Sequence, residues 1–303
     1  MLPRNHTEQY GPHMNASDES YLSPPRDRKG RVFWLIDKAG LGLEIGPSYS
    51  PLAPRAEGFN VEIVDHLGTE ELRKKYNYNP RIEDVDYVFD GRSLVDVIGS
   101  EGRYKWIIAS HVIEHVPDVI AFLRDCERLI DGDGVISLVV PDKRFCFDHF
   151  RPHSDVSVAI DAHLAGRRMP SPGVVAAGLL YNVFNGGKHS FTDEERKEFQ
   201  LRFNADQARR SMEAAKTLYK DCHVWCFTPA SFRLLILDLQ VLGFIGLHEA
   251  AYFSTDAKNS EFIVSLRKNG KSKITREELL LDLEGEIAAG SAHVPIFAEH
   301  LNP

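Results

Sequence analysis

Gly40-Leu41-Gly42-Leu43-Glu44-Ile45-Gly46 is an apolar run closed by glycine and then by Pro47, and its reading decides the fold. A short apolar stretch bounded by turn residues reads as a buried strand. Four more such runs follow: Val61-Glu62-Ile63-Val64-Asp65, Asp86-Tyr87-Val88-Phe89-Asp90-Gly91, Tyr104-Lys105-Trp106-Ile107-Ile108-Ala109-Ser110, and Gly134-Val135-Ile136-Ser137-Leu138-Val139-Val140-Pro141. The segments between them are compatible with helix. Val119 to Ile130 is the clearest, with Ile120, Leu123, Cys126, Leu129 and Ile130 at amphipathic spacing. Leu247 to Phe253 and Phe262 to Leu266 add two closing strands. Strands alternating with helices require right-handed crossovers. The expectation is an α/β, doubly wound, Rossmann-like and mostly parallel seven-stranded sheet.

After Pro141 the alternation breaks. Residues 151–224 read as a helical insertion that forms an acceptor lid, with helix expected over Val156 to Ala165 and, long and highly charged, over Asp193 to Tyr219. Thr228-Pro229-Ala230-Ser231 opens a helix with proline at an early position. A last helix spans 275–288 behind a capping box of Thr275 and Glu278. The division is therefore a mobile tail at 1–30, a core at 31–150 and 225–270, the lid, and a C-terminal helix and tail at 271–303. Ser23-Pro24-Pro25-Arg26-Asp27-Arg28-Lys29-Gly30 reads as linker.

Composition narrows the function. The 303 residues are 43% apolar and 26% charged, which suits one large globular domain or one with a sizeable insertion. No run approaches the ~18 uncharged apolar residues of a membrane span, and the first residues lack a secretory apolar region. A net charge of −8 argues against a protein that tracks nucleic acid phosphates. The four cysteines make no disulfide framework, which points to a reducing cytoplasm. Cys222-His223 and Cys226 lack a second ligand pair at zinc-finger separation, so no metal site is expected.

In an open α/β sheet, ligands bind at the carboxyl ends of the strands. Those ends carry Glu44, Gly46, Pro47 and Ser48; Asp65; Asp90 and Gly91; and Ser110 and His111. A glycine at the first end lets backbone approach a ligand. A carboxylate at the second can accept from a ribose diol, and one at the third from an adenine amino group. Four such ends in succession point to an adenosine-containing ligand. Pro47-Ser48-Tyr49-Ser50-Pro51 places bulk where a pyrophosphate needs bare backbone, which disfavours NAD or FAD.

Leu43-Glu44-Ile45-Gly46-Pro47-Ser48, Asp65, Ala109-Ser110-His111-Val112-Ile113-Glu114-His115-Val116-Pro117-Asp118, Arg128-Leu129-Ile130-Asp131-Gly132-Asp133-Gly134 and Val140-Pro141-Asp142, in this order, resemble the class I S-adenosylmethionine-dependent methyltransferases. The nearest subgroup is the small-molecule type, similar to methyltransferase type 11. The resemblance implies S-adenosylmethionine as cofactor, Gly46 against its methionine part, Asp65 on its ribose, Asp90 near its adenine, and Ser110 and His111 at the donor–acceptor junction. The family commonly has a second glycine where this chain has Ser48. The long insertion and the His223-Val224-Trp225-Cys226-Phe227-Thr228-Pro229 entry to the last core helix are similar to bacterial methyltransferases associated with surface glycans.

The implied reaction is methyl transfer to a small-molecule acceptor, foremost a hydroxyl of a saccharide or sugar nucleotide. N- or C-methylation of another metabolite, or adenosine-ligand binding without catalysis, are the alternatives. A hydroxyl needs a base within reach. Asp148 and His149 are the expected base and orienter, with His111 beside the reacting atoms. Arg144 and Arg151 would grip an acidic acceptor, or else pin the insertion to the core through an Asp–Arg network. His189, His223 and Trp225 are further candidate acceptor contacts. His115 reads as a residue that fixes its loop.

Overall fold

The computed structural model describes residues 25–291 and forms one seven-stranded sheet. Its strands are β1 (Gly42–Ile45), β2 (Val61–Asp65), β3 (Tyr87–Val88), β4 (Tyr104–Ser110), β5 (Ile130–Pro141), β8 (His248–Phe253) and β9 (Glu261–Arg267), two further strands lying in the insertion. The order is β3-β2-β1-β4-β5-β9-β8, parallel through β5, with β9 and β8 antiparallel. The Rossmann-like expectation holds.

Side chains of β4 explain why both faces must be covered. Ile107 and Ala109 point into one apolar cluster, Trp106 and Ile108 into the other, the period of two that a pleated strand imposes. The helices α3 (Leu94–Ile98), α4 (Val119–Leu129), α5 (Val156–Leu164) and α8 (Pro229–Val241) contribute to the first cluster. Trp106 needs room against β1, and Gly42 provides it: a Cβ there would lie 2.0 Å from the indole.

The opposite face is covered by α1 (Arg28–Val32) and the residues after it. This corrects the linker reading, because the end of that stretch is helical. Asp27 caps α1 by accepting from the Gly30 amide at 2.8 Å, and Val32 and Phe33 are buried on the sheet. Residues 1–24 of the expected tail lie outside the described residues.

The insertion also departs from expectation. It holds α5, α6 (Pro172–Leu180), a hairpin of β6 (Val183–Asn185) and β7 (Phe199–Leu201), and α7 (Ala205–Ala214). The continuous helix expected from Asp193 is instead a 3-10 turn over Asp193–Glu195, the strand β7 and then α7. Two causes are visible. Phe199 is buried with Phe191, Phe145 and Phe150, and the Asn185 side chain both accepts from the Lys197 amide (2.8 Å) and donates to its carbonyl (2.6 Å). Tertiary burial overrides local helix preference there. The remaining helices are α2 (Thr69–Lys75) and α9 (Arg276–Ser291), the latter with the expected Thr275–Glu278 capping box.

Candidate active site

Parallel register brings the strand ends to one rim. Ile45 pairs with Val64 on one side and Ala109 on the other, so Gly46 lies between Asp65 and Ser110. Gly46 is left-handed (φ 64), and a Cβ there would sit 3.0 Å from Cγ2 of Val112. Ser48 is left-handed as well (φ 50). That conformation costs a non-glycine residue roughly 1–2 kcal/mol. The backbone at Ser48 thus takes a conformation that glycine adopts without strain. Gly46 leaves a bare-backbone cradle at the strand end, and on that ground the residues present fit a nucleoside-bearing cofactor.

The carboxylates of the rim are engaged internally. Asp65 is buried; its Oδ2 accepts from the Ser48 amide (2.8 Å) and its Oδ1 from the His66 amide (2.7 Å), with His66 Nδ1 at 2.6 Å. Asp90 and Gly91 are exposed, and Arg92 lies on the Asp90 carboxylate at 2.8 Å, holding its pKa down. Pro47 closes the turn by accepting from the Ser50 amide at 2.9 Å. Glu44 is a correction. It is buried beneath the loop, where it accepts from the Leu52 (2.7 Å) and Ala53 (3.1 Å) amides, so it ties the loop down instead of reaching a ligand. Burial outweighs these bonds and raises its pKa to about 7.

Ser110 accepts from Arg28 of α1 at 3.0 Å. His111 is left-handed (φ 55) and lies between Glu261, with Nε2 2.7 Å from Oε2, and Glu114, with Nδ1 3.5 Å from Oε1. Burial works against its charge, but the two carboxylates prevail and raise its pKa to about 9. The two carboxylates thus favour the protonated ring, which can donate but not accept at the strand end.

On the acceptor side the expected pair does not form. Asp148, almost fully buried, meets Arg151 Nη1 at 2.9 Å and His223 Nδ1 at 2.6 Å; its sequence neighbour His149 turns away. The His149 ring stacks on Phe199 with centroids 4.7 Å apart, and its Nδ1 lies 2.7 Å from the Arg144 carbonyl oxygen. Burial lowers its pKa to about 4. Neither arginine is free. Arg144 is bidentate on Asp142, and buried Arg151 also donates to the His223 carbonyl at 2.8 Å. Arg151 thereby ties the two ends of the insertion together against Asp148, whereas the Arg144–Asp142 pair is local to the segment after β5. Trp225 is core too, donating to the Val116 carbonyl at 2.6 Å. His189 stands edge-on to Phe147 and Phe184 on the insertion.

Sequence reasoning missed the centre of this region. The Val224 and Trp225 amides both donate to the Glu114 carbonyl (2.6 and 3.1 Å), which draws His223 onto the turn after β4. Glu114, His115 and His223 then meet, each offering a ligand atom within 4.8 Å of the others. His115 Nδ1 lies 2.9 Å from Asp221 Oδ1, as His223 Nδ1 lies against Asp148. The signal in the sequence was the Glu114-His115 dipeptide in the turn after a strand, with a distant histidine two residues after Asp221. A cavity of about 300 Å³ opens beside them, its walls including His115, Phe147, Asp148, Asn182, Asp221 and His223. A second hollow of about 460 Å³, between Arg28, Glu261 and Ser190–Thr192, is lined by none of the residues expected from sequence.

A family model described as a methyltransferase domain matches residues 22–225. The chain belongs to that family. Membership carries the expected methyl donor, S-adenosylmethionine, and with it methyl transfer as the reaction class. Among solved structures, the chain is similar to a putative zinc-dependent alcohol dehydrogenase from Rhodobacter sphaeroides at 12% identity (82% of this chain, 92% of that one, TM-score 0.45). It is similar to the CcbJ methyltransferase from Streptomyces caelestis at 13% identity (78% and 92%, TM-score 0.42). A putative S-adenosylmethionine-dependent methyltransferase from Listeria monocytogenes is similar at 9% identity (79% and 96%, TM-score 0.42). No curated protein matches in sequence. No helix among the described residues is long and apolar enough to cross a membrane.

Proposed function

We propose that this methyltransferase modifies a hydroxyl of a saccharide or sugar nucleotide, with residues 151–224 covering the acceptor. The observation that carries the reading is the cavity of about 300 Å³ beside the β4 turn, where Asp148, Arg151, Asn182, Arg202, Asp221 and His223 share the wall with Phe147, Val175, Leu179 and Phe203. A sugar suits such a mixed wall, its hydroxyls meeting the polar side chains and its ring faces the apolar ones.

S-adenosylmethionine, when bound, supplies an electrophilic methyl on a cationic sulfur. Gly46, Pro47 and Ser48 would hold its methionine part, Asp65 its ribose, Asp90 and Gly91 its adenine, and Ser110 the junction. Asp65 and Asp90, now held by the Ser48 amide and by Arg92, would present their remaining acceptor capacity to the nucleoside. Val112, against Gly46, joins this rim to the turn bearing Glu114 and His115. The cavity walls would orient the acceptor oxygen at about 3 Å from the reacting carbon; as the oxygen–carbon bond forms the carbon–sulfur bond breaks, S-adenosylhomocysteine leaves, and the hydroxyl proton would pass to a carboxylate or imidazole of the wall. Four unpaired cysteines agree with a reducing cytoplasm as the place of reaction.

The test is methyl transfer from isotope-labelled donor across matched panels of saccharides, sugar nucleotides and small amines. Label on a sugar oxygen is the expected product. Turnover confined to amines overturns the acceptor reading.

A further inference from the structure

Glu114 is fully buried, and neither carboxylate oxygen has a hydrogen-bond partner. The nearest nitrogens are His111 Nδ1 at 3.5 Å and His223 Nε2 at 3.9 Å from Oε1. His111 offsets part of the Glu114 charge, but both oxygens still lack the hydrogen bonds that a buried carboxylate ordinarily makes. The surroundings of Glu114 hold further nitrogens that could serve a shared ion. His115 and His223 each have Nδ1 engaged by a carboxylate, Asp221 and Asp148 respectively, which leaves Nε2 as the free nitrogen of both rings. A histidine whose other nitrogen is held by a carboxylate is the usual support of a metal ligand.

We propose that Glu114, His115 and His223 bind one divalent transition-metal ion at the wall of the acceptor cavity. Two imidazoles and one carboxylate suit zinc, iron(II), cobalt(II) or manganese(II), while magnesium prefers an all-oxygen set. The three ligand atoms lie within 4.8 Å of one another. Bonds of about 2.0–2.2 Å require them to close by roughly an ångström, within reach of side-chain rotation. Asp148 and Asp221 serve as positioning residues through the two rings. Three protein ligands leave coordination positions open towards the cavity, where paired acceptor oxygens can chelate. That last step rests on the hydroxyl-acceptor reading; the ion's binding does not.

The experiment titrates the full-length, chelator-stripped protein with cobalt(II) alone, followed by visible absorption, and with zinc(II) alone, followed by calorimetry and by the unfolding midpoint. Saturation at one ion per chain, with ligand-field bands and a rising midpoint, is the expected result. Glu114→Gln and His223→Ala should each weaken binding at least 100-fold. Metal-free Glu114→Gln should stay folded, because it removes a buried charge. Should it not fold, His115→Ala, which truncates a half-exposed ring, must show the same loss. No saturable binding, or affinity unchanged in these variants, overturns the site. S-adenosylmethionine binding is measured in parallel: an ion that binds to a chain ignoring the nucleoside sustains this site and sinks the methyltransferase reading, and the converse sinks only this site.

Discussion

The Gly46 rim and the face beneath the insertion are both made of loops that follow strands, yet they organise polar groups by different means. At the first three strand ends of the rim the carboxylates are held from within 17 positions along the chain: Glu44 by Leu52 and Ala53, Asp65 by Ser48 and His66, Asp90 by Arg92. Beneath the insertion the partners are remote, with Asp148 and His223 separated by 75 positions and His115 and Asp221 by 106. Local pairing makes a surface that backbone conformation shapes. Remote pairing makes one that exists only when two parts of the chain have docked.

That contrast can be broken, most forcefully at Arg151. Arg151→Ala leaves Asp148 buried with one partner fewer and should cost about 3–5 kcal/mol, read as the urea midpoint, whereas Arg92→Ala beside exposed Asp90 should leave the midpoint unchanged. Equal effects from the two would erase the distinction.

Glu44 tests the rim next. Its folded pKa of about 7 lies above the ordinary value of 4.5. The folded chain therefore binds more protons than the unfolded chain between those values, and stability falls as pH rises through that window. The size is on the order of 3 kcal/mol. Glu44→Gln should flatten the pH profile of the unfolding free energy across pH 4.5–7; an unaltered slope would mean that the carboxyl titrates normally.

Asp65→Ala should weaken S-adenosylmethionine binding by about 1.5–3 kcal/mol in calorimetry. Unchanged affinity would confine Asp65 to bracing Ser48. The smallest change sharpens the same point. Ser48→Gly relieves a left-handed residue and should stabilise by about 0.5–1 kcal/mol with cofactor affinity retained; a loss of affinity would assign the hydroxyl to the ligand.

Legibility followed the same division. β2 and β4 are readable to the residue because their apolar runs stop at an acid and at a serine, and α4 to within one residue because its stripe keeps a helical period. Ser48 broke the glycine pattern without breaking the turn, since left-handed backbone is available to serine at a price. In the insertion the charged stretch 193–198 carries no apolar period of its own, and Phe199 decides its path by joining Phe191 and Phe150. Asp148 and His149 looked like a pair because they are adjacent. Burial separates them, His149 against Phe199 and Asp148 against His223.

Order along the chain was enough to establish a doubly wound sheet and the rim where its loops gather, because strand burial and turn chemistry act over a few residues. Which histidine meets which carboxylate was settled by docking alone. Glu114 comes to face His223 because the Val224 and Trp225 amides find its carbonyl and Trp225 buries its indole against Val116. No short-range pattern encodes that meeting; it arises from satisfying backbone hydrogen bonds and burying an aromatic ring between segments more than a hundred residues apart.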